Sequence, residues 1–195
     1  MGRIDELANR YVADWAPLSP TGATYVGIAG YDDKLDDLTP EGYESRAELT
    51  RRTLAELDVT EPETKAERTA KEAMQERLGL DLARYQAGET TSEVNVIASG
   101  LHDMRMVFDL MPTEGADAQA NIASRLNGFA AALDGYKTTL RAAAAAGHIS
   151  SKVQLTEVAK QCDIWVDPSG DNFFHGLVER LGADGSVGAE LRRGA

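Results

Sequence analysis

Hydrophobic residues recur three and four positions apart along most of this chain, the spacing of a single helical face. The clearest stretch is 117–166, where Ile122, Leu126, Phe129, Leu133, Tyr136 and Leu140 form one apolar stripe. Gly147 then interrupts the alanine run Ala142–Ala146, and Ser150 or Ser151 supplies a cap for a second helix. That helix carries Leu155, Val158, Cys162 and Trp165 at the same spacing. Two amphipathic helices joined by a tight turn are predicted, each with an apolar face that needs a partner.

The same pattern covers the rest. Ile4, Leu7, Ala8, Tyr11 and Trp15 define a first helix that Pro17 ends, because proline cannot continue the hydrogen-bond ladder. Ser19-Pro20 and Thr39-Pro40 each read as a cap followed by proline at the first helical position. The first starts a short helix to about Ile28, the second a helix over 40–58 with Tyr43, Ala47, Leu54 and Leu57 inward. Between them, the acidic run 31–38 (Asp32, Asp33, Asp36 and Asp37) reads as a solvated turn. It lacks the spacing and the twelfth-position glutamate of a calcium loop. Residues 60–88 form the longest charged helix, with Ala66, Ala70, Met74, Leu78, Leu82 and Tyr85 inward and Gly88 at its end. Its Glu63/Glu67 and Glu72/Glu76 pairs, interleaved with lysine and arginine, read as an exposed face rather than a metal site.

Residues 89–116 are less charged and hold three of the five methionines. They allow a short extended piece at Val94–Ile97 and predict a helix from about Leu101 to Met111, stopped by Pro112. After a loop at 167–172, residues 173–182 form a short helix with Phe174, Leu177, Val178 and Leu181 inward, and a further element begins within 183–195. The fold class is all-α, a multi-helix bundle or array in one domain over 1–195, with 117–166 as its central hairpin.

Composition changes this picture little. The 195 residues are 43% hydrophobic, enough for a globular core. A net charge of -12 opposes both nucleic acid and anionic membranes. The adjacent pairs Arg51-Arg52 and Arg192-Arg193 read as solvated helix faces. Cys162, the single cysteine, lies on an apolar stripe and reads as a structural thiol. The N-terminus lacks the apolar core of a signal peptide, and no apolar run is long enough to span a bilayer, so a cytoplasmic protein is expected.

The chemistry-bearing residues assemble no known constellation. None of His102, His148 and His175 begins a His-Glu-x-x-His segment, which grips zinc between imidazoles one turn apart. None completes the Glu-x-x-His pair of a di-iron bundle either. His175 and Glu179 share a helix face without a third ligand. His102, with Asp103 and Arg105, is the one polar cluster in an apolar segment, and reads as a satisfied, partly buried histidine that borders a pocket at most. No Gly-x-Ser-x-Gly elbow and no glycine-rich phosphate loop is present. No catalytic, cofactor-binding or metal-ligating residue is assigned.

Several segments carry a family resemblance: LANRYVADWAPLSPTGATYVGI, AKEAMQERLGLDLARYQAGE, NVIASGLHDMRMVFDLMP, and the region around Leu133, Asp134, Tyr136 and Leu140. In this order they resemble the N-terminal part of the bacterial domain of unknown function 885 family, especially its actinobacterial members. That resemblance implies a largely helical protein akin to zinc metallopeptidases of the neurolysin and angiotensin-converting-enzyme type. Their His-Glu-x-x-His helix and downstream glutamate lie in a C-terminal half that this sequence does not include. No zinc ligand is therefore carried onto any position here, and zinc is expected only in the full-length family member.

The resemblance implies an N-terminal helical wall of a substrate cleft, with 89–116 facing it, not catalytic by itself. Its partner would be the C-terminal catalytic half, and a peptide the substrate in that full-length context. The alternative is a stand-alone helical interaction module prone to self-association. A nucleic-acid-binding regulator is the remote third reading.

Overall fold

The computed structural model describes residues 2–167 and 172–181. These residues are helical, without strands. In chain order the helices are α1 (Arg3–Trp15), α2 (Pro20–Tyr25), α3 (Pro40–Val59), α4 (Lys65–Gln86), α5 (Glu89–Ser92), α6 (Gly100–Met106), α7 (Ala116–Ala145), α8 (Lys152–Trp165) and α9 (Phe173–Leu181). Short 3-10 turns follow α1 and α6, at Ala16–Leu18 and Val107–Asp109. The tail over 183–195 with Arg192-Arg193, and all but the ends of the 167–172 loop, lie outside the described residues.

Capping explains several boundaries. Thr39 accepts from the Gly42 amide, Thr64 from Glu67 and Ser151 from Gln154, each tying down a donor that has no partner within its own helix. Thr64 also explains why α4 begins at Lys65 and not at 60: Pro62 keeps the chain before it extended. Ser19, expected to cap α2, makes no such bond and gives its hydroxyl to Asp36 instead. The helix expected over 101–111 is α6 tightening into a 3-10 turn. At Val94–Ile97 the chain is irregular, and α5, unforeseen, precedes it.

Three apolar clusters hold the helices together. Ile4 and Leu7 of α1 meet Leu57 of α3 and Leu78 of α4. Leu38, Tyr43, Val94, Leu101, Met104, Tyr136 and Val158 form the second, with Cys162, Phe129 and Trp165 against it. The third joins Val107, Phe108 and Met111 to Ile122 and Leu126 of α7 and to Phe174, Leu177 and Leu181 of α9. Phe129, Trp165 and Leu35 touch both of the last two, so α7 is the spine shared by them. Full burial of a leucine-sized side chain contributes about 1.5–3 kcal/mol.

Two expectations for exposed residues are corrected. On α4, Ala66 faces solvent and Glu67 is buried. The Glu67 carboxylate accepts from the main-chain amides of Ile4 at 3.0 Å and Glu63 at 2.7 Å, so it caps the start of α1 from another helix. On α8, Leu155 is exposed beside Val153 and Ile164, and Val158 is the buried residue of that helix. The Arg51-Arg52 pair sits on α3, where Arg51 ion-pairs with Glu44 and Glu48 and Arg52 approaches Asp14.

Candidate functional site

The acidic connector is the second place where structure overrides the solvated reading. Arg125 of α7 is completely buried. Its Nε donates to the Lys34 carbonyl at 2.8 Å, and its Nη2 reaches the carbonyls of Pro20 and Tyr31 and the Thr24 hydroxyl. Thr24 in turn donates to Asp32, and Asp36 accepts from the Thr21 amide and the Ser19 hydroxyl. Asp32 and Asp36 are thus half-buried members of a clasp around one cation, while Asp37 stays exposed. Burial pulls the Arg125 guanidinium below its ordinary value, and Asp32, Asp36 and Asp33 push it back. Nη1 is buried with no hydrogen-bond partner among the described residues. Arg125 stands three positions after Ile122, on the face that the apolar spacing turns inward, and a charge at such a position was the available signal.

Beside this clasp, α3, α4, α5 and α6 enclose a cavity of about 370 Å³. Tyr43 and Arg46 of α3 and Arg84 of α4 contribute to its lining, together with Glu93, Ser99 and Asp103 from the later segment. Leu38 and Met104 add apolar surface. A second recess of about 220 Å³ shares Tyr43, Arg46, Arg84, Thr90 and Glu93 with it and extends the groove to Trp15, Asp81 and Tyr85. Segment 89–116 therefore supplies about half of the first cavity's lining.

Electrostatics in the groove are mixed. Arg84 ion-pairs with Glu89 at 3.2 Å and Glu93 at 3.5 Å. Arg46 has no carboxylate partner among the described residues. Its Nη1 donates to the carbonyls of Leu18 and Asp37, and its guanidinium lies 4.6 Å over the Tyr43 ring. Burial pushes the Tyr43 hydroxyl up to about 12, where it feels Arg46, Asp36, Asp103 and Glu93 together. The Asp103 carboxyl is raised by burial and then by Asp36. Tyr85 donates to Glu44 and is raised to about 12, burial first and that carboxylate next.

The histidines do not meet. His102 is buried, with Nδ1 at 2.9 Å from the Ser99 hydroxyl and Nε2 at 3.0 Å from Gln161 Oε1. Since the Gln161 amide nitrogen donates to the Val96 carbonyl, its oxygen must accept, which assigns the proton to Nε2. His148 lies against Gly88, and His175 pairs with Glu179 at 3.5 Å on an exposed face of α9. Cys162 is half-buried, its thiol pushed up by burial.

No group of three or more His, Cys, Asp or Glu positioned to hold a metal occurs among the described residues. Among the described residues no helix is long and apolar enough to cross a membrane.

The family described as bacterial protein of unknown function (DUF885) matches residues 20–194. The chain belongs to this family. In this DUF885 chain the match takes in the Arg125 clasp and both recesses of the groove apart from Trp15. Helix α1 precedes it. No curated protein matches this DUF885 chain.

Proposed function

We propose that the chain forms the helical wall of a substrate cleft in a zinc-metallopeptidase-like protein of the neurolysin and angiotensin-converting-enzyme type, and does not itself cleave peptides. The observation that carries this reading is the mixed-charge groove across α3–α6, lined from segment 89–116. A peptide main chain presents alternating donors and acceptors, and a cleft carrying both charge signs on an apolar base suits it. Zinc, its ligands and the general base belong, in this reading, to a part of the protein outside this sequence. The protein works in the cytoplasm.

Reading the gene beyond the codon for Ala195 tests the proposal. An open frame that runs into a His-Glu-x-x-His segment is the expected result. Stoichiometric zinc together with peptide hydrolysis by the purified 195-residue chain would overturn it.

A second reading, a helical interaction module without catalysis, draws on α8. Val153 and Ile164 are 69% and 63% exposed, and Leu155, Ile149 and Val166 add further apolar surface. Apolar surface of this kind favours association. Sedimentation and pull-downs with the purified chain test this second reading: a strictly monomeric chain that captures no partner would count against it.

A further inference from the structure

The 370 Å³ cavity is lined by charges of both signs, some of which have no ion pair among the described residues. Three carboxylates, Asp36, Glu93 and Asp103, face two guanidiniums, Arg46 and Arg84. Arg84 is engaged by Glu89 and Glu93. Asp36 accepts two hydrogen bonds, from Ser19 and Thr21, without a cation in ion-pairing contact among the described residues. Asp103 likewise has no ion pair among them, and Arg46 spends its Nη1 on two carbonyls. The lining thus keeps a positive group and negative groups without an ion pair among the described residues, together with Tyr43, Leu38 and Met104. Asp36 and Arg46 are half-buried, whereas Asp103 and Glu93 reach solvent at the rim, and a half-buried charge gains from a ligand that brings the opposite charge into hydrogen-bonding reach.

We propose that this cavity binds a small zwitterion, an α-amino acid or short peptide, with its ammonium among Asp103, Glu93 and Asp36 and its carboxylate toward Arg46. The inference rests on the reading of the groove as a peptide-contacting wall and names what that wall holds. A purely anionic ligand would leave Asp36 and Asp103 without a cation, and a simple amine would leave Arg46 without an anion.

Methyl-labelled methionine makes the test direct, because Met104 lines the cavity and Met104→Leu assigns its signal among five. Titrating the full 195-residue chain with the dipeptide alanyl-alanine should shift the Met104 methyl saturably. N-acetyl-alanyl-alanine should bind at least tenfold more weakly, and the dipeptide amide should also lose affinity. Asp103→Asn should weaken the free dipeptide at least fivefold with the melting temperature unchanged, since its carboxylate makes no ion pair among the described residues. An unmoved Met104 signal, equal binding of the acetylated dipeptide, or an unaffected Asp103→Asn variant would overturn the proposal. These readouts need neither zinc nor hydrolysis, so the gene beyond Ala195 decides the wall reading separately.

Discussion

The Arg125 guanidinium donates to the Thr24 hydroxyl at 2.7 Å, and that hydroxyl donates onward to Asp32 at 2.7 Å. The cation and the acidic connector are therefore joined through a hydroxyl relay. Arg125 also binds three main-chain carbonyls, those of Pro20, Tyr31 and Lys34, which fastens the 20–36 segment to the middle of α7.

Replacing this residue should be among the most damaging single changes in the protein. Arg125→Met removes the donor of four acceptors at once and is expected to cost about 3–5 kcal/mol, the range for breaking a buried charged network. Arg125→Lys should also destabilise, because one ammonium cannot reproduce the planar fork. Thr24→Val cuts only the relay and should cost about 1 kcal/mol. Urea unfolding midpoints measure all three. An Arg125→Met variant within about 1 kcal/mol of the parent would show that the clasp contributes little.

Glu67 gives a pH dependence whose sign can be worked out. The amides of Glu63 and then Ile4 hold its carboxyl below the ordinary 4.5. A carboxyl depressed in the folded state binds its proton more tightly when unfolded, so its stabilisation is full above about 4.5 and fades as pH falls through the folded value. Glu67→Gln keeps the shape and removes the titration. The stability difference between parent and variant should be largest near neutral pH and shrink below 4.5, followed by thermal unfolding from pH 7 to pH 3. A constant difference across that range would sink this account. Glu44 and Asp134 are depressed too, so the difference between the two proteins is the informative quantity.

Apolar spacing made the helices legible in the sequence, because a 3.6-residue period in leucine, tyrosine and phenylalanine arises from little besides an amphipathic helix. It also gave the inward face of α9, while cap-forming residue types pointed to Thr39 and left Ser150 or Ser151, of which Ser151 is the cap. Buried charge was not legible. Arg125 and Glu67 are polar by composition and structural by position, and only the fold brings carbonyls from 20–34 to one and the amide of Ile4 to the other. The same holds for the groove: Arg46 and Asp103 are 57 positions apart, and no local pattern announces that they line one cavity.

Gly88 ends α4 with a φ of 75°, in the region that favours glycine. A Cβ there would also stand 2.6 Å from the His148 ring. Gly88→Ala should therefore cost about 1–2 kcal/mol from the left-handed backbone alone, and more from the ring. Adding His148→Ala should recover the second part and leave the first. Additive losses in this double-mutant cycle would mean that the ring swings away freely.

Segment 93–99 shows how an irregular stretch is held without a neighbouring strand. The Val94 amide donates to the Ser150 hydroxyl, the Val96 amide to Gln154 Oε1, and the Val96 carbonyl accepts from Gln161 Nε2. Side chains at the start and along α8 thus satisfy main-chain groups that no secondary structure pairs. A buried main-chain group left without a partner costs about 1–3 kcal/mol, so each of these side chains holds a separate portion of the segment. Gln154→Ala should speed hydrogen exchange at Val96 and leave Val94, bonded to Ser150, still protected. Gln161→Leu should do more, because it also deprives His102 Nε2 of its acceptor and loosens the histidine from the edge of the Trp165 ring, 5.6 Å away. Since Ser99, Gly100 and Asp103 continue from this segment into the cavity wall, the Gln161 variant should weaken ligand binding there through disorder of the wall. Equal exchange at Val94 and Val96 in the Gln154→Ala protein would show that the segment opens as one unit.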